Sequence, residues 1–447
     1  MRGERASARG AISATPPWRY LVDFSRRRKN RQLQPESVGM DHGLTSTTLG
    51  GSTFTLASKY RPQRLVGSGS GGVVVAATCA DSSNEVAIKK IHIERDLTIE
   101  RHALAARRTL REISLISQLD HENVLGLLDL SCSGGGAADF DHLYLVTPLM
   151  DADLHRVIRS PQPLTEQHVQ FFMWQLLRGL EHLHACAVVH RDLKPANLLV
   201  NANCDLKITD FGLSRGVNPS DCLDFLTEYV VTRWYRAPEI VLSSETYTKA
   251  VDVWSVGCIF GELLGRKPLF PGSDHVQQLG CIIDVLGTPR DAQLHHVPDK
   301  ARRYIAGLPP CAGKPLAQIY PAATADALDL LRAMLDWQPS SRCTVEQALA
   351  HPYLAAFHNP AAEPVSATAF DFDASEAAAS ADAQQALFRE VCRFRPELAA
   401  ITSPPSKAKR RHPSEYGSSS PSSRNWPRYQ PAAAANRGAA HRGVARG

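Results

Sequence analysis

Two regimes of hydrophobic spacing run through the middle of the chain. Residues 65–77 and 85–91 are rich in valine and isoleucine, flank a glycine-rich turn and are separated by Asp81-Ser82-Ser83-Asn84, so they predict antiparallel strands. Residues 109–119 then place Leu110, Ile113, Ile116 and Leu119 at helical spacing. From Thr165 onward, Val169, Phe172, Met173, Leu176, Leu177, Leu180 and Leu183 recur at intervals of three and four and predict a long amphipathic helix. Further helical stretches are expected at 252–264, 276–286 and 325–335. The pattern is that of an α+β chain with a strand-rich small lobe followed by a larger, mainly helical one, and no internal repeat interrupts it.

The two ends lack such periodicity. Residues 1–58 mix Arg, Ser, Thr and Gly, and residues 401–447 are Ser, Pro, Ala and Arg in short repeats, so both are expected to be disordered extensions. They also hold the positive charge. The first carries nine basic against four acidic side chains and the second nine against one; with +5 and +8 in the tails and +5 overall, the middle stands at −8. A nucleic-acid-binding fold is therefore not indicated. Arg26-Arg27-Arg28-Lys29 and Lys407-Ala408-Lys409-Arg410-Arg411 are open to three readings: solvated basic tail, nuclear import signal or, at the N-terminus, transit peptide.

With 447 residues, two lobes plus unfolded tail is the natural organisation. No apolar run approaches the ~18 residues that a membrane span requires. The ten cysteines are scattered singly, without Cys-x-x-Cys pairs or zinc-ligand spacing, which suits reduced thiols inside a cell.

Chemistry enters with Gly67-Ser68-Gly69-Ser70-Gly71-Gly72-Val73-Val74. Glycines at these steps let main-chain amides close over phosphates, and the β-branched run that follows leads into a strand, not into the helix of a dinucleotide-binding fold. Val86-Ala87-Ile88-Lys89 follows, and a lysine in a buried strand needs anionic partners, which nucleotide phosphates and Glu112 on the next helix would supply. Next stands His190-Arg191-Asp192-Leu193-Lys194-Pro195-Ala196-Asn197, followed by Asp210-Phe211-Gly212. Asp192 is suited to accept a hydroxyl proton, Lys194 adds positive charge beside it, and Asn197 and Asp210 offer oxygen ligands for magnesium.

With these motifs the sequence resembles the eukaryotic protein kinases over residues 59–396. Leu226-Thr227-Glu228-Tyr229 ahead of Arg233-Trp234-Tyr235-Arg236-Ala237-Pro238-Glu239 is similar to the mitogen-activated protein kinases, in the Thr-Glu-Tyr form of their extracellular-signal-regulated branch. The resemblance implies a bilobal kinase domain at 59–354 with lobes at 59–147 and 151–354, and a C-terminal extension at 355–400 packing back on them. It implies ATP and Mg2+ as cofactors, with Val66, Gly67, Ser68, Gly69, Ser70, Gly71, Gly72, Val74, Ala87, Lys89, Thr147, Leu149, Met150, Asp153 and Leu199 around the nucleotide. It implies catalysis by Asp192 and Lys194 with Lys89 and Glu112, and metal binding by Asn197 and Asp210.

It further implies that Thr227 and Tyr229 are activating phosphorylation sites, the first phosphate received by Arg108, Arg111, Arg191 and Arg215 and the second by Arg233 and Arg236. Asp252 would support the catalytic loop and Glu239 would pair with Arg342. Expected partners are an upstream dual-specificity MAP kinase kinase, protein substrates with Ser/Thr-Pro sites and phosphatases, with no direct nucleic acid and no membrane span. The enzyme would be monomeric, cytoplasmic and nuclear. Rival expectations are a pseudokinase-like scaffold, which loss of Lys89, Asp192 or Asp210 would have favoured, and a cyclin-dependent-type kinase, which would lack the Thr-Glu-Tyr tripeptide.

Two departures stand out. Similar kinases place an aromatic residue where this chain has Gly71, and an acidic docking cluster where Phe357-His358-Asn359-Pro360-Ala361-Ala362-Glu363 keeps only Glu363. Looser nucleotide retention and weaker capture of basic partners are the expectations.

Overall fold

The β-branched run Val73-Val74-Val75 lies in β5 (Gly72–Cys79), between β4 (Tyr60–Gly69) and β6 (Glu85–His92), in an antiparallel five-stranded sheet of order β4-β5-β6-β8-β7. The remaining strands are β7 (Asp129–Cys132) and β8 (His142–Pro148). The computed structural model describes residues 37–39, 44–69, 71–216, 232–242, 248–360 and 368–398. All belong to one compact unit, Met1–Thr402; the second, Ser403–Gly447, and with it most of the expected C-terminal tail, lies outside the described residues.

The N-terminal extension expected as disordered through residue 58 needs correction. Strand β1 (Ser37–Gly39) pairs with β2 (Leu44–Leu49), and β2 forms a hairpin with β3 (Ser52–Ala57). Gly50 and Gly51 make the turn with φ of +58° and +80°, the combination that two-residue hairpin loops require. Leu49, Phe54 and Leu56 are buried against Tyr60, Val75 and Tyr144 of the five-stranded sheet. Threonine, counted as a loop former in the sequence, here acts as a β-branched strand residue: Ser46 pairs with Thr55 and Thr48 with Thr53 through their hydroxyls, at 3.0 and 3.1 Å.

Helix α1 (Glu100–Gln118) starts nine residues before the predicted stretch and buries Leu110, Ile113, Leu115 and Ile116. The larger lobe holds α2 (Leu154–Arg159), α3 (Glu166–Ala185), α4 (Pro238–Val241), α5 (Ala250–Gly265), α6 (His275–Leu286), α7 (Asp299–Ala306), α8 (Leu316–Ile319), α9 (Ala325–Met334) and α10 (Val345–Leu349). Its short strands are β9 (Ala152–Asp153), β10 (Val188–Val189), β11 (Leu198–Val200), β12 (Leu206–Ile208) and β13 (Arg215–Gly216).

Thr165 starts α3 with a capping box, in which its main-chain amide donates to His168 Nδ1 at 3.0 Å. In α5 every residue from Val251 to Leu263 is buried, the state expected of a helix apolar on all sides. It is the centre around which the large lobe packs. Helix α11 (Phe372–Phe394) returns along the chain's end to pack on α1 and β7, bending at Asp382, whose carboxylate caps its second half by accepting from the Gln385 amide. Among the described residues no helix is long and apolar enough to cross a membrane.

Candidate active site

The glycine-rich loop joins β4 to β5, with Gly69 opposite Gly72 in the ladder and Gly67 opposite Val74. Ser70, between them, lies outside the described residues. Gly72 has φ +117°, and a Cβ there would sit 2.2 Å from the Lys90 carbonyl oxygen, so no other residue fits this turn. Gly71 differs. A Cβ on it would meet only the end of Lys89, 3.8 Å from Cε, an ordinary contact, so its smallness is not demanded by packing. Val66 and Ser68 extend along β4 on the way to this tip.

Strand alternation sends Ile88 into the core and Lys89 to the opposite face. There Lys89 Nζ donates to both carboxylate oxygens of Glu112 on α1, at 2.8 and 3.1 Å. Burial works against the lysine's charge, but Glu112, with a smaller contribution from Asp210, outweighs it, and the ammonium holds its proton above the ordinary lysine range. The pair fastens α1 to the sheet and keeps a cation behind the loop. Ala87 and Thr147 face each other across β6 and β8, Leu149 and Met150 continue from β8, and Leu199 on β11 pairs with Asp153 on β9. Asp153 also caps α2, accepting the Arg156 amide at 2.8 Å.

Asp192 is the most constrained of the acids. Its Oδ2 accepts from Lys194 Nζ at 2.6 Å and from Asn197 Nδ2 at 3.1 Å, and its carbonyl accepts from the same Asn197 amide group at 2.9 Å. Burial pushes its carboxyl above the ordinary carboxylate range, while Lys194 pulls it down. With its amide nitrogen turned toward Asp192, Asn197 has its side-chain oxygen left to offer elsewhere.

The loop carrying Asp192 is held from below. Arg191 has φ +69°, a left-handed conformation unfavourable for a side-chain-bearing residue, and the fully buried Asp252 on α5 fixes it. Asp252 Oδ1 accepts the Arg191 amide at 2.8 Å, and Oδ2 accepts the His190 amide at 2.8 Å and His184 Nε2 at 3.0 Å. Burial alone would raise the Asp252 carboxyl, but these donors prevail and keep it below its usual range. His184, on α3, gave no signal in the sequence beyond its helical position.

Asp210 repeats the device with φ +70°. Phe211 beside it is fully buried, its ring 5.2 Å from that of His190, and His190 Nε2 donates to the Thr209 carbonyl at 3.1 Å. Arg111 on α1 donates to the Gly212 carbonyl at 3.2 Å, so the helix carrying Glu112 also grips the segment carrying Asp210. Arg215 Nη1 donates to the Ser214 carbonyl at 2.9 Å, and Arg111, Arg215 and Arg236 are buried. Arg108 precedes this group on α1, Arg191 lies in the loop and Arg233 opens the turn before Ala237. Thr227 and Tyr229 lie outside the described residues. So does the acidic remnant Glu363, although Phe357 just before it packs its ring against Phe171 and Trp174, at 5.5 and 6.0 Å.

The donor set fits a nucleotide with magnesium: a lysine-carboxylate pair behind a glycine loop, and an aspartate with an asparagine oxygen beside a second aspartate. Among the described residues no cluster of three or more His, Cys, Asp or Glu is arranged to hold a metal by itself. Magnesium at Asp210 and Asn197 would therefore complete its shell with phosphate oxygens and water, as this ion usually does.

Residues 60–354 match the family described as "Protein kinase domain". Among named proteins, the chain is 48% identical over 349 residues to Mitogen-activated protein kinase 1 of Oryza sativa subsp. japonica, covering 78% of this chain and 85% of that one. It is 47% identical over 350 residues to Mitogen-activated protein kinase 4 of Arabidopsis thaliana, covering 78% and 91%, and to the same degree to the homolog MMK2 of Medicago sativa, covering 78% and 92%.

Proposed function

Since the chain belongs to the mitogen-activated protein kinases and is a serine/threonine protein kinase, we propose that it transfers the γ-phosphoryl group of ATP to Ser/Thr-Pro sites of proteins once Thr227 and Tyr229 are phosphorylated. Dual phosphorylation and a following proline are typical of the family. The observation that carries the reading is the Asp192 carboxylate, held by Lys194 and Asn197 on a loop that Asp252 pins.

In this mechanism Asp192 orients the substrate hydroxyl and accepts its proton, and its position in the loop keeps it aimed. Lys194 stabilises charge that develops on the transferred group. Lys89, aligned by Glu112, holds the phosphates, and the glycine loop closes over them. Bound magnesium, held by Asp210 and Asn197, would neutralise phosphate charge. Arg108, Arg111, Arg191 and Arg215 are the receivers for a phosphate on Thr227, and Arg233 and Arg236 for one on Tyr229. Because Arg111 already holds Gly212, a phosphate drawing on it would join α1 to the Asp210 segment more firmly. An upstream dual-specificity kinase would add these phosphates and phosphatases remove them. The basic tails would serve a cytoplasmic and nuclear enzyme.

The test is phosphate transfer to a Ser/Thr-Pro protein substrate by purified chain, before and after treatment with an activating kinase, with Asp192→Asn as control. Activity that rises with modification of Thr227 and Tyr229 and disappears in the control is the expected result. Inactivity despite double phosphorylation would transfer the case to a scaffold role.

A further inference from the structure

The chain contains six Ser/Thr-Pro dipeptides of its own, beginning at Thr15, Thr147, Ser160, Thr288, Ser403 and Ser420. Of these, Thr147, Ser160 and Thr288 are among the described residues. Thr147 is locked in the β6–β8 ladder. Thr288 is fastened twice to Cys311, donating its amide to the Cys311 carbonyl and accepting the Cys311 amide on Oγ1, both at 2.9 Å. Ser160 is in a different state. It follows the last turn of α2 with φ −69° and ψ 153°, the extended conformation that a residue before proline favours. Its neighbours Arg159 and Pro161 are exposed, and its amide and hydroxyl both donate to one carbonyl, that of Val157, at 3.1 and 2.8 Å.

What surrounds Ser160 is cationic. Arg159, Arg266 and Lys267 share with it the lining of a surface cavity of about 650 Å³. Arg266, at the end of α5, adopts φ +57° and spreads its guanidinium over main-chain carbonyls at the C-terminal end of α2: Nε donates to Ile158 at 2.6 Å, Nη1 to Gln162 at 3.1 Å, and Nη2 to Val157 at 3.3 Å and to Ser160 itself. Among the described residues no carboxylate pairs with it. The fork thus faces neutral acceptors only, and burial lowers its pKa.

We propose that Ser160 is a phosphoacceptor for a second copy of this kinase and that Arg266, flanked by Arg159 and Lys267, receives the phosphate; the proposal rests on the Ser/Thr-Pro reading above. Ser160 Oγ of one copy attacks the γ-phosphorus of ATP held by the other. The Oγ–P bond forms as the bond from that phosphorus to the β–γ bridging oxygen breaks, ADP leaves with the electron pair, and the hydroxyl proton passes to Asp192 of the acting copy and on to water. A phosphate offers the guanidinium a full opposite charge and a bidentate pair of acceptor oxygens, which the neutral carbonyls do not, so the fork moves from the carbonyls to the phosphate. Helix α2 then loses its C-terminal tie, while a dianion at its C-terminus adds repulsion from the helix dipole. Asp153, which caps the other end of this six-residue helix, is placed beside the nucleotide by the reading above. Phosphorylation at Ser160 therefore weakens nucleotide binding.

The experiment presents full-length Asp192→Asn chain as substrate to activated Ser160→Ala chain with ATP and magnesium, together with a synthetic Ser-Pro peptide, and maps phosphate by mass spectrometry. Label on Ser160, absent when the substrate also carries Ser160→Ala, is expected. A labelled peptide with Ser160 unmodified overturns this inference and leaves the functional reading intact; an unlabelled peptide overturns both. In a second arm, wild-type chain phosphorylated at Ser160 is expected to show an ATP KM raised about fivefold, the low end of ordinary site-to-site coupling, with kcat little changed. Arg266→Ala should show the raised KM without phosphorylation and no further rise with it. Equal KM values for phosphorylated and unphosphorylated wild type would remove Arg266 as the receiver.

Discussion

Arg395, just beyond α11, grips Asp129 at the start of β7 with a two-pronged fork, Nη1 to Oδ1 at 2.5 Å and Nη2 to Oδ2 at 2.6 Å. The same carboxylate accepts Tyr60 Oη at 2.6 Å and lies 3.1 Å from Lys59 Nζ. The C-terminal extension and the two edge strands of the five-stranded sheet, β4 and β7, thus meet at one buried charge.

Removing one partner of a buried ion pair costs about 3–5 kcal/mol. Because Lys59 and Tyr60 still serve Asp129, Arg395→Ala is expected to destabilise by about 2 kcal/mol, read as a shift in urea midpoint at neutral pH. Burial alone would raise the Asp129 carboxyl, but its donors hold it below the ordinary 3.8. A depressed folded-state pKa contributes stability that is present above the unfolded value and lost as pH falls through the folded one. The stability gap between wild type and Asp129→Asn should therefore be constant from neutral pH down to about 4 and shrink below it. A gap that does not narrow in acid would remove Asp129 as a charged anchor.

For Asp192 the sign is opposite. Burial raises its carboxyl and Lys194 lowers it, so the acid limb of the pH profile of kcat/KM should begin above the ordinary aspartate value of 3.8. Lys194→Ala should move that limb to still higher pH, in addition to lowering kcat. Asp192→Asn should reduce kcat by about 10²–10⁴-fold, the usual range for a proton-transfer group. An acid limb that stays in place when Lys194 is removed would mean that another group titrates there.

Most of this machinery was legible because its chemistry is local. Lys89, Asp192, Asn197 and Asp210 each sit in a short motif whose spacing dictates the loop or strand around them, and Glu112 follows from the need for an anion on the neighbouring helix. The supports that act across long sequence distances were less visible. Asp252 meets His184 across 68 positions and Arg395 meets Asp129 across 266, and neither His184 nor Arg395 has a sequence neighbour that announces the pairing. The hairpin at 44–57 was missed for another reason. Its core residues Leu49, Phe54 and Leu56 alternate with threonine and serine, whose cross-strand hydroxyl pairing, and for threonine the fit of a β-branched side chain, emerges only when a second strand lies alongside.

Gly71 and Gly72 should respond differently to alanine. At Gly72 the side chain would meet the Lys90 carbonyl at 2.2 Å in a left-handed backbone, so Gly72→Ala should distort the turn, destabilise the small lobe by more than about 1 kcal/mol and depress kcat/KM for ATP. At Gly71 the added carbon makes an ordinary contact with Lys89, and Gly71→Ala should leave stability within about 0.5 kcal/mol of wild type. Gly71→Tyr should lower the ATP KM by covering the loop tip with apolar surface. Steady-state kinetics with thermal melts of all three variants separates the positions; no gain from the tyrosine would show that the bare tip does not limit nucleotide retention.

Glu239 and Arg342 form the most enclosed ion pair described, with side chains 1% and 0% exposed and a parallel fork at 2.7 and 2.6 Å. Arg342 does more than neutralise its partner: it also donates to the carbonyls of Ala250 and Asp336, and its guanidinium lies 5.0 Å from the Trp254 ring centroid. Glu239 stands in the first turn of α4, just after Pro238, so the pair ties α4 to the start of α5 through the Ala250 carbonyl. Glu239→Gln leaves a buried guanidinium with neutral partners and should cost about 3 kcal/mol, near the low end for a broken buried pair. Arg342→Met also strips donors from two carbonyls and should cost more. In a double-mutant cycle the combined change should be smaller than the sum, because neither charge is left alone, yet it should not return to wild-type stability while the carbonyls of Ala250 and Asp336 lack their donor. Strict additivity in urea denaturation would mean that the fork contributes no mutual stabilisation, and that Arg342 acts on the fold through its carbonyl contacts alone.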